Sequence, residues 1–226
     1  MKRVGLLGGS FNPVHQDHLA LGLYIKEKLH LDKIVLIPNA TPPHKNTCKV
    51  SYKDRLNMLH LACEGIDGFE ISDIEKDDKV LHYSIDTVKK LHEQNPNSSL
   101  FFIMGSDSLL SLDKWHEGFK LTDYTNLAVM CRKGYEKANL NSKVEEFLKE
   151  RAIYDQETTT FDKASKLPYG KCFMINEQLH AISSSKIRED FSHYYKTQST
   201  RYLSSLKEHL PQKVLDYILT CKLYKD

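Results

Sequence analysis

Short apolar runs alternate along this chain with longer segments of helical periodicity. The first run, RVGLL, precedes HLALGLYIKEKLHL, in which Leu19, Leu23, Ile25 and Leu29 recur at helical spacing. Further runs predict strands, namely KIVLIP, GFEIS, LFFIMG, NLAVMC and KCFMI. Strands that alternate with helices are typical of parallel β-α-β units. The pattern therefore predicts an α/β fold with a doubly wound parallel sheet of five to six strands, with helices on both faces and a C-terminal helical tail.

The remaining helices are indicated by their end signals. SYKDRLNMLHLACEG has Ser51 as its candidate N-cap, YSIDTVKKLHEQ ends in the turn NPNSS, and PQKVLDYILTCKL has Pro211 near its first turn. Residues 133–170 are more polar, and we expect one helix around SKVEEFLKERA followed by a long loop outside the core. We expect residues 1–226 to form a single domain, in which residues 183–226 supply one helix and the helical tail.

The composition is that of an ordinary globular protein. The chain has 226 residues, of which 40% are hydrophobic and 27% charged, and its net charge is +2. Such a balanced charge gives no support to a nucleic-acid partner. The five cysteines are scattered without a C-x-x-C pair, which favours a reducing, cytoplasmic setting over a disulfide framework or a zinc cluster. Glycines break the N-terminal apolar run at once, so we expect neither a signal peptide nor a membrane span there.

The loop between the first strand and the first helix carries the strongest chemical signal. It reads GGSFNPVHQDH, and it lies where the carboxyl end of a parallel strand meets a helix N-terminus. Gly8 and Gly9 permit positive φ and close approach of a ligand, while the amides and the dipole of the helix favour an anion. His15 and His18 share one helical face, and imidazole can donate to phosphate oxygens. The loop therefore predicts an anion site.

Other interpretations of this loop stay open at the level of the residues. A Gly-Gly-Ser string alone is a weak signal, and a single histidine is usually structural. His15 and His18 could also bind a metal, although nothing nearby supplies a convincing third ligand. The G-x-G-x-x-G dinucleotide pattern does not fit positions 8 to 13, and no Gly-Lys-Ser/Thr follows as in a Walker loop.

A second string, ISSSKIR, occupies residues 182–188 late in the chain. Ser183, Ser184 and Ser185 offer hydroxyl groups and a helix N-cap, and Arg188 follows one helical turn later. These residues could form a second phosphate site. A helix cap beside a solvated arginine is the alternative that the residues leave open.

GGSFNPVHQDH and ISSSKIR together resemble the two signatures of the nucleotidyltransferase superfamily, H-x-G-H and I-S-S/T-x-x-I-R. Four more stretches, PNATPPHK, YSIDTV, GSDSLLSLDKW and LPQKVLDYILTCKLY, are similar to the bacterial nicotinate-nucleotide adenylyltransferases. The resemblance is weakest over residues 134–170 and 192–206. It implies a Rossmann-like nucleotidyltransferase domain that joins ATP and nicotinate mononucleotide into nicotinate adenine dinucleotide, releasing pyrophosphate. It also implies Mg²⁺ held mainly by the ATP phosphates, with no protein metal ligands.

The resemblance further implies which residues act on ATP. The catalytic set is His15, His18 and Arg188, and His18 is expected to stabilise the α-phosphate in the transition state. The other ATP-binding residues are expected to be Gly8, Gly9, Ser10, Phe11, Gly105, Asp107, Ser183, Ser184, Ser185 and Ile187. Because the acceptor phosphate is already an anion, catalysis is expected from alignment and charge neutralisation rather than from a general base.

Four residues are implied for the nicotinate mononucleotide. Trp115 would stack on the pyridine ring, and the backbone amides of Ser84 and His116 would receive the carboxylate, which favours the acid over the amide substrate. Lys45 would reach the mononucleotide phosphate. From the residues alone, Trp115 could also be a buried core residue and Lys45 an exposed loop lysine.

Asp17 departs from the first signature, which has glycine between the two histidines. A carboxylate close to a triphosphate should repel it, so either the side chain points away or it helps to hold Mg²⁺ or a histidine.

Two rival functions follow from these observations. One is an adenylyltransferase with another acceptor, nicotinamide mononucleotide or phosphopantetheine. The other is a non-catalytic nucleotide-binding regulator, in which Asp17 has removed the activity. A tRNA synthetase is disfavoured by the short chain, the lack of a KMSKS string and the low positive charge. A monomer and a homo-oligomer both stay open.

Overall fold

Parallel strands form one seven-stranded sheet within the residues that the structure describes. The computed structural model describes residues 1–40, 50–77, 80–131, 140–156, 158–176 and 182–225. Its strands are β1 Lys2–Gly9, β2 Lys33–Pro38, β3 Phe69–Ile71, β4 Ser98–Gly105, β5 Asn126–Cys131, β6 Ala152–Tyr154 and β7 Cys172–Asn176. The order across the sheet is β3-β2-β1-β4-β5-β7-β6, and every neighbouring pair is parallel. The predicted α/β class and parallel sheet are confirmed.

Helices connect the strands and close the chain. They are α1 Gln16–Lys28, α2 Tyr52–Cys63, α3 Ser84–Gln94, α4 Ser106–Leu110, α5 Ser142–Lys149, α6 Thr158–Ala164, α7 Ser184–Thr197, α8 Thr200–His209 and α9 Gln212–Thr220. Two 3-10 helices span Leu112–Lys114 and Gly118–Asp123. In the described part of the chain, no helix combines the length and apolarity needed to cross a bilayer.

The end signals in the sequence correspond to real helix ends. Ser51 caps α2, since its Oγ accepts a hydrogen bond of 3.1 Å from the amide of Asp54. Pro211 immediately precedes α9, where its missing N–H group removes no intrahelical hydrogen bond. Local sequence therefore sets where these helices start.

The prediction for residues 133–170 is wrong in two respects. The sheet has more strands than the five to six expected, because β6 lies in the segment that we expected to be a loop outside the core. β6 pairs with β7, with Ile153 beside Phe173, and α6 follows where no helix was predicted. Ile153 is the one buried residue of β6. A three-residue strand with one apolar anchor gives no detectable pattern.

The two faces of the sheet are covered by different helices. Helices α1, α2, α7, α8 and α9 pack on the first face, where the buried residues include Ile25, Met58, Phe191, Leu206 and Leu215. Helices α3 and α5 pack on the second face, where the buried residues include Ile85, Val88, Val144 and Leu148. The C-terminal helices thus share the core of the first face with α1, the helix that follows the Gly-Gly-Ser loop.

The strand order reverses direction at β1. β1 pairs with β2 on one side, with Gly9 beside Pro38, and with β4 on the other, with Leu7 beside Ile103. In an open parallel sheet, ligands bind outside the carboxyl ends of the strands at such a reversal. The loops that follow β1 and β4 lie at this position, so the fold brings residues 10–15 and the segment after Gly105 to one crevice.

Candidate active site

The first loop leaves β1 and returns as helix α1. β1 extends through Gly9, the Asn12–Pro13 peptide bond is cis, and His15 is the N-cap residue of α1. The glycines do not use the positive φ that we expected of them; the left-handed residue of this loop is Phe11, with φ of 43°. A Cβ atom at Gly8 would meet only Asn39 Oδ1, at 3.9 Å. Gly8 therefore leaves open space beside the loop rather than allowing an unusual turn.

His15 and His18 lie together, as predicted. Their ring centroids are 3.7 Å apart, and the buried ring of Phe11 packs edge-on to His18 at 5.1 Å. The backbone amide of His15 donates to Nδ1 of His18 at 3.2 Å. Because an amide can only donate, this nitrogen is unprotonated, and the neutral ring carries its proton on Nε2. His18 therefore has its Nε2–H group to offer to a ligand.

Burial keeps both imidazoles neutral near pH 7. It lowers the pKa of His15 to about 4, against a smaller raising effect of Asp17, and lowers the pKa of His18 to about 3, with His15 adding to the shift. His15 is only 4% exposed, and its buried Nδ1 has no hydrogen-bond partner among the described residues. A buried polar atom without a partner needs an explanation, and a bound ligand or an ordered water would supply one here.

The second string folds as the N-terminus of α7 and contacts the first loop. Ser183 is the N-cap, and its Oγ accepts from the amide of Lys186 at 3.2 Å, which confirms the expected cap. Arg188 is not simply solvated: its Nη1 donates to the carbonyl of Asn12 at 2.7 Å and its Nη2 to Ser185 Oγ at 3.0 Å. The Oγ of Ser184 donates to the carbonyl of Pro13 at 3.0 Å.

The two strings thus meet in space although about 170 residues separate them in the chain. Of the expected ATP-site residues in α7, Ile187 is buried at 1% exposure and belongs to the core of the first face. Its side chain anchors α7 rather than reaching the loop surface. Ser184 and Arg188 of α7 contact the first loop, Ser185 bonds to Arg188, and Ser183 caps the helix.

Asp17 makes a contact that neither sequence interpretation anticipated. Its Oδ2 accepts a hydrogen bond of 2.8 Å from the backbone amide of Ile182, the residue before the cap of α7. The carboxylate therefore lies between α1 and the second string, bonded to a backbone group. It also lies in the first turn of α1, where the helix dipole favours a negative charge.

The loop after β4 supplies the other side of the crevice. Gly105 ends β4 and is the N-cap residue of the short helix α4, and a Cβ atom there would lie in open space. Asp107 lies in the first turn of α4 and is exposed, and its carbonyl accepts from the hydroxyl of Ser111. The sheet places these two residues next to the first loop, as expected of parallel neighbours.

The expected acceptor residues lie on the second face of the sheet. Ser84 is the first residue of α3, whose leading amides have no acceptor within the helix. The exposed ring of His116 packs against Tyr83 with centroids 4.4 Å apart and the ring planes tilted by 35°, which brings the turn at 115–118 to the start of α3. Trp115 is partly buried and packs edge-on to Phe102 at 6.3 Å. Lys45 lies outside the described residues.

Ion pairs hold the same turn in place. Glu117, with φ of 49°, pairs with Lys89 of α3 at 3.2 Å and with Lys120 at 2.6 Å. Hydrogen bonds from Lys120 and then Lys89 lower the pKa of Glu117 to about 2. The helix α3 and the turn that carries His116 are therefore connected at two points, the contact between Tyr83 and His116 and the ion pair of Glu117 with Lys89.

Arg55 is a site residue that the sequence interpretation missed. It is 1% exposed, and its Nη1 and Nη2 donate to the carbonyls of Ser10 at 2.7 Å and Ala40 at 3.2 Å. It thereby joins the first loop to the start of the segment that follows β2. Its position in the sequence could have revealed it, because Arg55 shares the buried face of α2 with Met58, Leu59 and Ala62.

Tyr224, near the chain end, was also missed. Its hydroxyl donates to Asn12 Oδ1 at 2.7 Å, and its ring stacks on Phe191 of α7 at 5.6 Å. Asn12 therefore accepts a hydrogen bond from Tyr224 at its side chain and one from Arg188 at its backbone carbonyl. No local pattern reveals this contact, because Tyr224 lies 212 residues further along the chain.

The assembled groups suit an anion with several oxygens. Imidazole N–H, guanidinium, serine hydroxyls and helix-end amides all donate hydrogen bonds, and they surround one loop. Within the described ranges, no group of three or more His, Cys, Asp or Glu side chains is placed to hold a metal ion. The donor set therefore fits phosphate oxygens.

Known proteins with related sequences support this assignment. The cytidylyltransferase-like family matches residues 6–190. A protein of Shewanella frigidimarina, called "Probable nicotinate-nucleotide adenylyltransferase", is 35% identical over 223 residues, covering 99% of this chain and 100% of that protein. A protein of Shewanella sp. strain MR-7 with the same description is 37% identical over 186 residues, covering 82% of this chain and 86% of the relative.

A solved structure has the same fold. It is the Plasmodium falciparum nicotinic acid mononucleotide adenylyltransferase complexed with NaAD, with a TM-score of 0.73 over 99% of this chain and 98% of that one. Its sequence is 19% identical, so this likeness carries the Rossmann-like fold, while the Shewanella relatives carry the family. The chain belongs to the cytidylyltransferase-like family and, within it, to the nicotinate-nucleotide adenylyltransferases.

Proposed function

We propose that this chain transfers the AMP group of ATP to the phosphate of nicotinate mononucleotide, giving nicotinate adenine dinucleotide and pyrophosphate. The observation that carries the proposal is the meeting of the two strings. Arg188 and Ser184 of α7 bond to the carbonyls of Asn12 and Pro13, directly before His15 and His18. One cluster of hydrogen-bond donors therefore lies at the reversal of strand order, where an open parallel sheet binds its ligand.

The reaction needs little proton transfer. A phosphate oxygen of nicotinate mononucleotide attacks the α-phosphorus of ATP, a new P–O bond forms, and the bond to the bridging β-phosphate oxygen breaks, so that pyrophosphate leaves. The nucleophile is already an anion. The chain must therefore align two anions and stabilise the charge that develops on the α-phosphate and the leaving group.

His18 is the residue best suited to the α-phosphate. Its tautomer is fixed by the amide of His15, which leaves Nε2–H as the donor. Because the imidazole is neutral, its burial in the free protein does not remove a charge from water. A phosphate bound beside it would favour its protonation. His15 and Arg188 would bind the outer phosphates, where the serines of α7 add hydroxyl groups.

The remaining ATP contacts are assigned to the backbone of the first loop and to the loop after β4. Gly8 leaves space beside the crevice, and Gly9 lies against the Phe11 ring, which a Cβ atom there would meet at 3.3 Å. Ser10 and Phe11 continue the loop, with the Phe11 side chain buried. Gly105 and Asp107 lie across the crevice, on the side that would receive the nucleoside. In this assignment ATP lies among the loops that follow β1 and β4 and the first turns of α1 and α7.

We assign nicotinate mononucleotide to the start of α3 and the turn at 115–118. The amides of Ser84 and His116 would bind the carboxylate, since the N-terminus of a helix favours an anion. Trp115 would offer the exposed part of its ring to the pyridine, and Lys45 would reach the phosphate. Two backbone amides prefer a carboxylate, whose two oxygens both accept hydrogen bonds. A carboxamide would place its NH₂ group, a donor, opposite one of these amide donors.

ATP would enter as its Mg²⁺ complex. The donors around the first loop are N–H and O–H groups, which bind phosphate oxygens rather than cations. We therefore assign the ion to the triphosphate, in keeping with the reluctance of Mg²⁺ to exchange its oxygen ligands for nitrogen, and we assign no step to a protein-bound metal.

The setting of the enzyme is part of the same proposal. We propose one nucleotidyltransferase domain over residues 1–226, because α7, α8 and α9 share the first-face core with α1. We propose a cytoplasmic location, supported by the free thiols of Cys63, Cys131, Cys172 and Cys221. Both a monomer and a homo-oligomer are compatible with this assignment, and neither requires a nucleic acid or a membrane.

Pyrophosphate release tests the acceptor. ATP and Mg²⁺ are supplied with nicotinate mononucleotide, nicotinamide mononucleotide or phosphopantetheine in parallel. We expect kcat/KM for the nicotinate substrate to exceed that for the nicotinamide substrate at least about tenfold, because the amides of Ser84 and His116 bind a carboxylate. Faster release with another acceptor would reassign the substrate. ATP binding without release with any acceptor would indicate the silent regulator.

A further inference from the structure

Asp17 connects the two strings through a contact that the family signature cannot supply. The signature has glycine at this position, and glycine has no side chain to reach another element. Here Asp17 Oδ2 accepts from the amide of Ile182 at 2.8 Å, across 165 residues of sequence. The side chain of Asp17 therefore supplies the contact.

The position of the contact determines what it can control. Asp17 lies immediately before His18 in the first turn of α1, and Ile182 lies immediately before Ser183, the cap of α7. The hydrogen bond thus joins the start of the helix that carries one set of phosphate donors to the start of the helix that carries the other. Two further contacts join the strings, from Ser184 and Arg188, and both end on backbone carbonyls of the first loop. Of these three links, the one made by Asp17 starts from α1, and it ends on the residue that precedes the cap of α7.

The chemistry of the contact also explains how a carboxylate is accommodated beside a phosphate site. A hydrogen bond from a backbone amide to a carboxylate is charge-assisted and stronger than one between neutral groups. The amides at the N-terminus of α1 stabilise the same negative charge. Asp17 also acts against the burial that lowers the pKa of His15, so its charge favours protonation of that imidazole.

We propose that Asp17 is a positioning residue, which holds the start of α7 against α1 so that His18 and the donors of α7 reach the same triphosphate. The proposal rests on the proposed function for the identity of the ligand. It opposes the interpretation of Asp17 as a lesion that silences the enzyme. It also predicts an effect on ATP and not on the acceptor, which lies on the second face of the sheet.

The test compares Asp17→Ala with Asp17→Asn. Asparagine keeps an oxygen that can accept from Ile182, whereas alanine removes it. In Asp17→Ala we expect KM for ATP to rise about tenfold, with KM for nicotinate mononucleotide changed less than about twofold. In Asp17→Asn we expect the rise in KM for ATP to stay below about threefold. Glu145→Gln, an exposed acid in the first turn of α5, is the matched control and leaves both constants unchanged.

Hydrogen exchange of the Ile182 amide, measured by NMR, gives a second readout that does not depend on catalysis. We expect faster exchange in Asp17→Ala than in the wild type and in Asp17→Asn. Unchanged exchange in Asp17→Ala, an equal rise in both KM values, or higher activity without the carboxylate would overturn the proposal. If the wild type shows no adenylyl transfer, the proposed function fails, while the exchange comparison still decides whether Asp17 holds α7.

Discussion

His18 has three properties that suit an imidazole placed at a developing phosphate charge. Its Nδ1 accepts a hydrogen bond from the amide of His15, and its ring contacts the rings of Phe11 and His15. Burial lowers its pKa to about 3. The tautomer and the ring orientation are therefore fixed before ATP binds. Such preorganisation is the main source of electrostatic catalysis in enzymes.

Replacing His18 tests this role. We expect His18→Ala to lower kcat at least about a hundredfold, since removal of one preorganised donor from a transition-state charge has an effect of this size. The measurement is steady-state pyrophosphate release, with His60→Ala on the exposed surface of α2 as the control. Turnover near that of the wild type would remove His18 from the reaction.

The lowered pKa values also make the folded protein sensitive to acid. The pKa of His15 is about 4 and that of His18 about 3 in the folded protein, against 6.5 for the ordinary group. Below about pH 6.5, the histidines of the unfolded chain take up protons, whereas those of the folded protein stay neutral. The free energy of unfolding therefore falls as the pH drops from 6.5 towards 4. Each histidine contributes roughly 1 kcal/mol per pH unit in this window.

Urea unfolding at about pH 7 and about pH 5.5 measures this effect. We expect the loss of stability between the two conditions to be smaller in His15→Asn than in the wild type. His60→Asn should behave like the wild type. A His15→Asn variant with the full wild-type loss would show that the buried imidazole does not resist protonation.

Sequence identified single residues well where the chemistry is local. His15, His18 and the Ser183 cap follow from residue types and spacing within a few positions. The partner of Asp17 could not be predicted, since Ile182 lies 165 residues away and offers only a backbone amide. A contact to a backbone group leaves no trace in the identity of the residue that provides it.

Helix α2 shows how an element can carry a site residue on its buried face. Three apolar side chains and Arg55 form its inner stripe, and Arg55 reaches past the core to two loop carbonyls. The guanidinium therefore binds the first loop at Ser10, while α7 binds it at Asn12 and Pro13. An arginine within the apolar stripe of a helix indicates a buried guanidinium that has specific acceptors.

Arg55→Met tests this support. We expect the free energy of unfolding to fall by about 2–4 kcal/mol, because the carbonyls of Ser10 and Ala40 lose buried donors and methionine cannot replace them. Urea denaturation measures the change, and Lys53→Met, on the exposed side of the same helix, is the control. A loss in Arg55→Met no larger than in Lys53→Met would contradict the role of Arg55.

The strands and helices themselves were predictable to different degrees. β4 and β5 are buried along most of their length and appear as continuous apolar runs. β6 was not predicted, because Ile153 is the one buried residue of this short edge strand and a single apolar residue makes no pattern. The neighbouring helix α6 was not predicted either. Elements at the edge of a sheet depend on their neighbours more than on their own pattern.

The complete chain places one crevice between distant segments. Parallel topology alone brings the loops after β1 and β4 together, which is why the position of the site could be predicted from alternating elements. We expected the second string to bind phosphate, but the contacts that attach it to the first loop could not be predicted. They join Arg188 and Tyr224 to Asn12 across 176 and 212 residues. The fold thus uses its C-terminal helices both as core and as part of the site.

Transfer of a labelled AMP group tests the central claim most directly. ATP labelled at the α-phosphorus is incubated with Mg²⁺, nicotinate mononucleotide and the protein, and the products are separated and identified by mass. We predict that the label appears in nicotinate adenine dinucleotide while the β- and γ-phosphates leave as unlabelled pyrophosphate. Label that stays in ATP, or that appears in free AMP with no dinucleotide formed, would contradict the assignment of this site to adenylyl transfer.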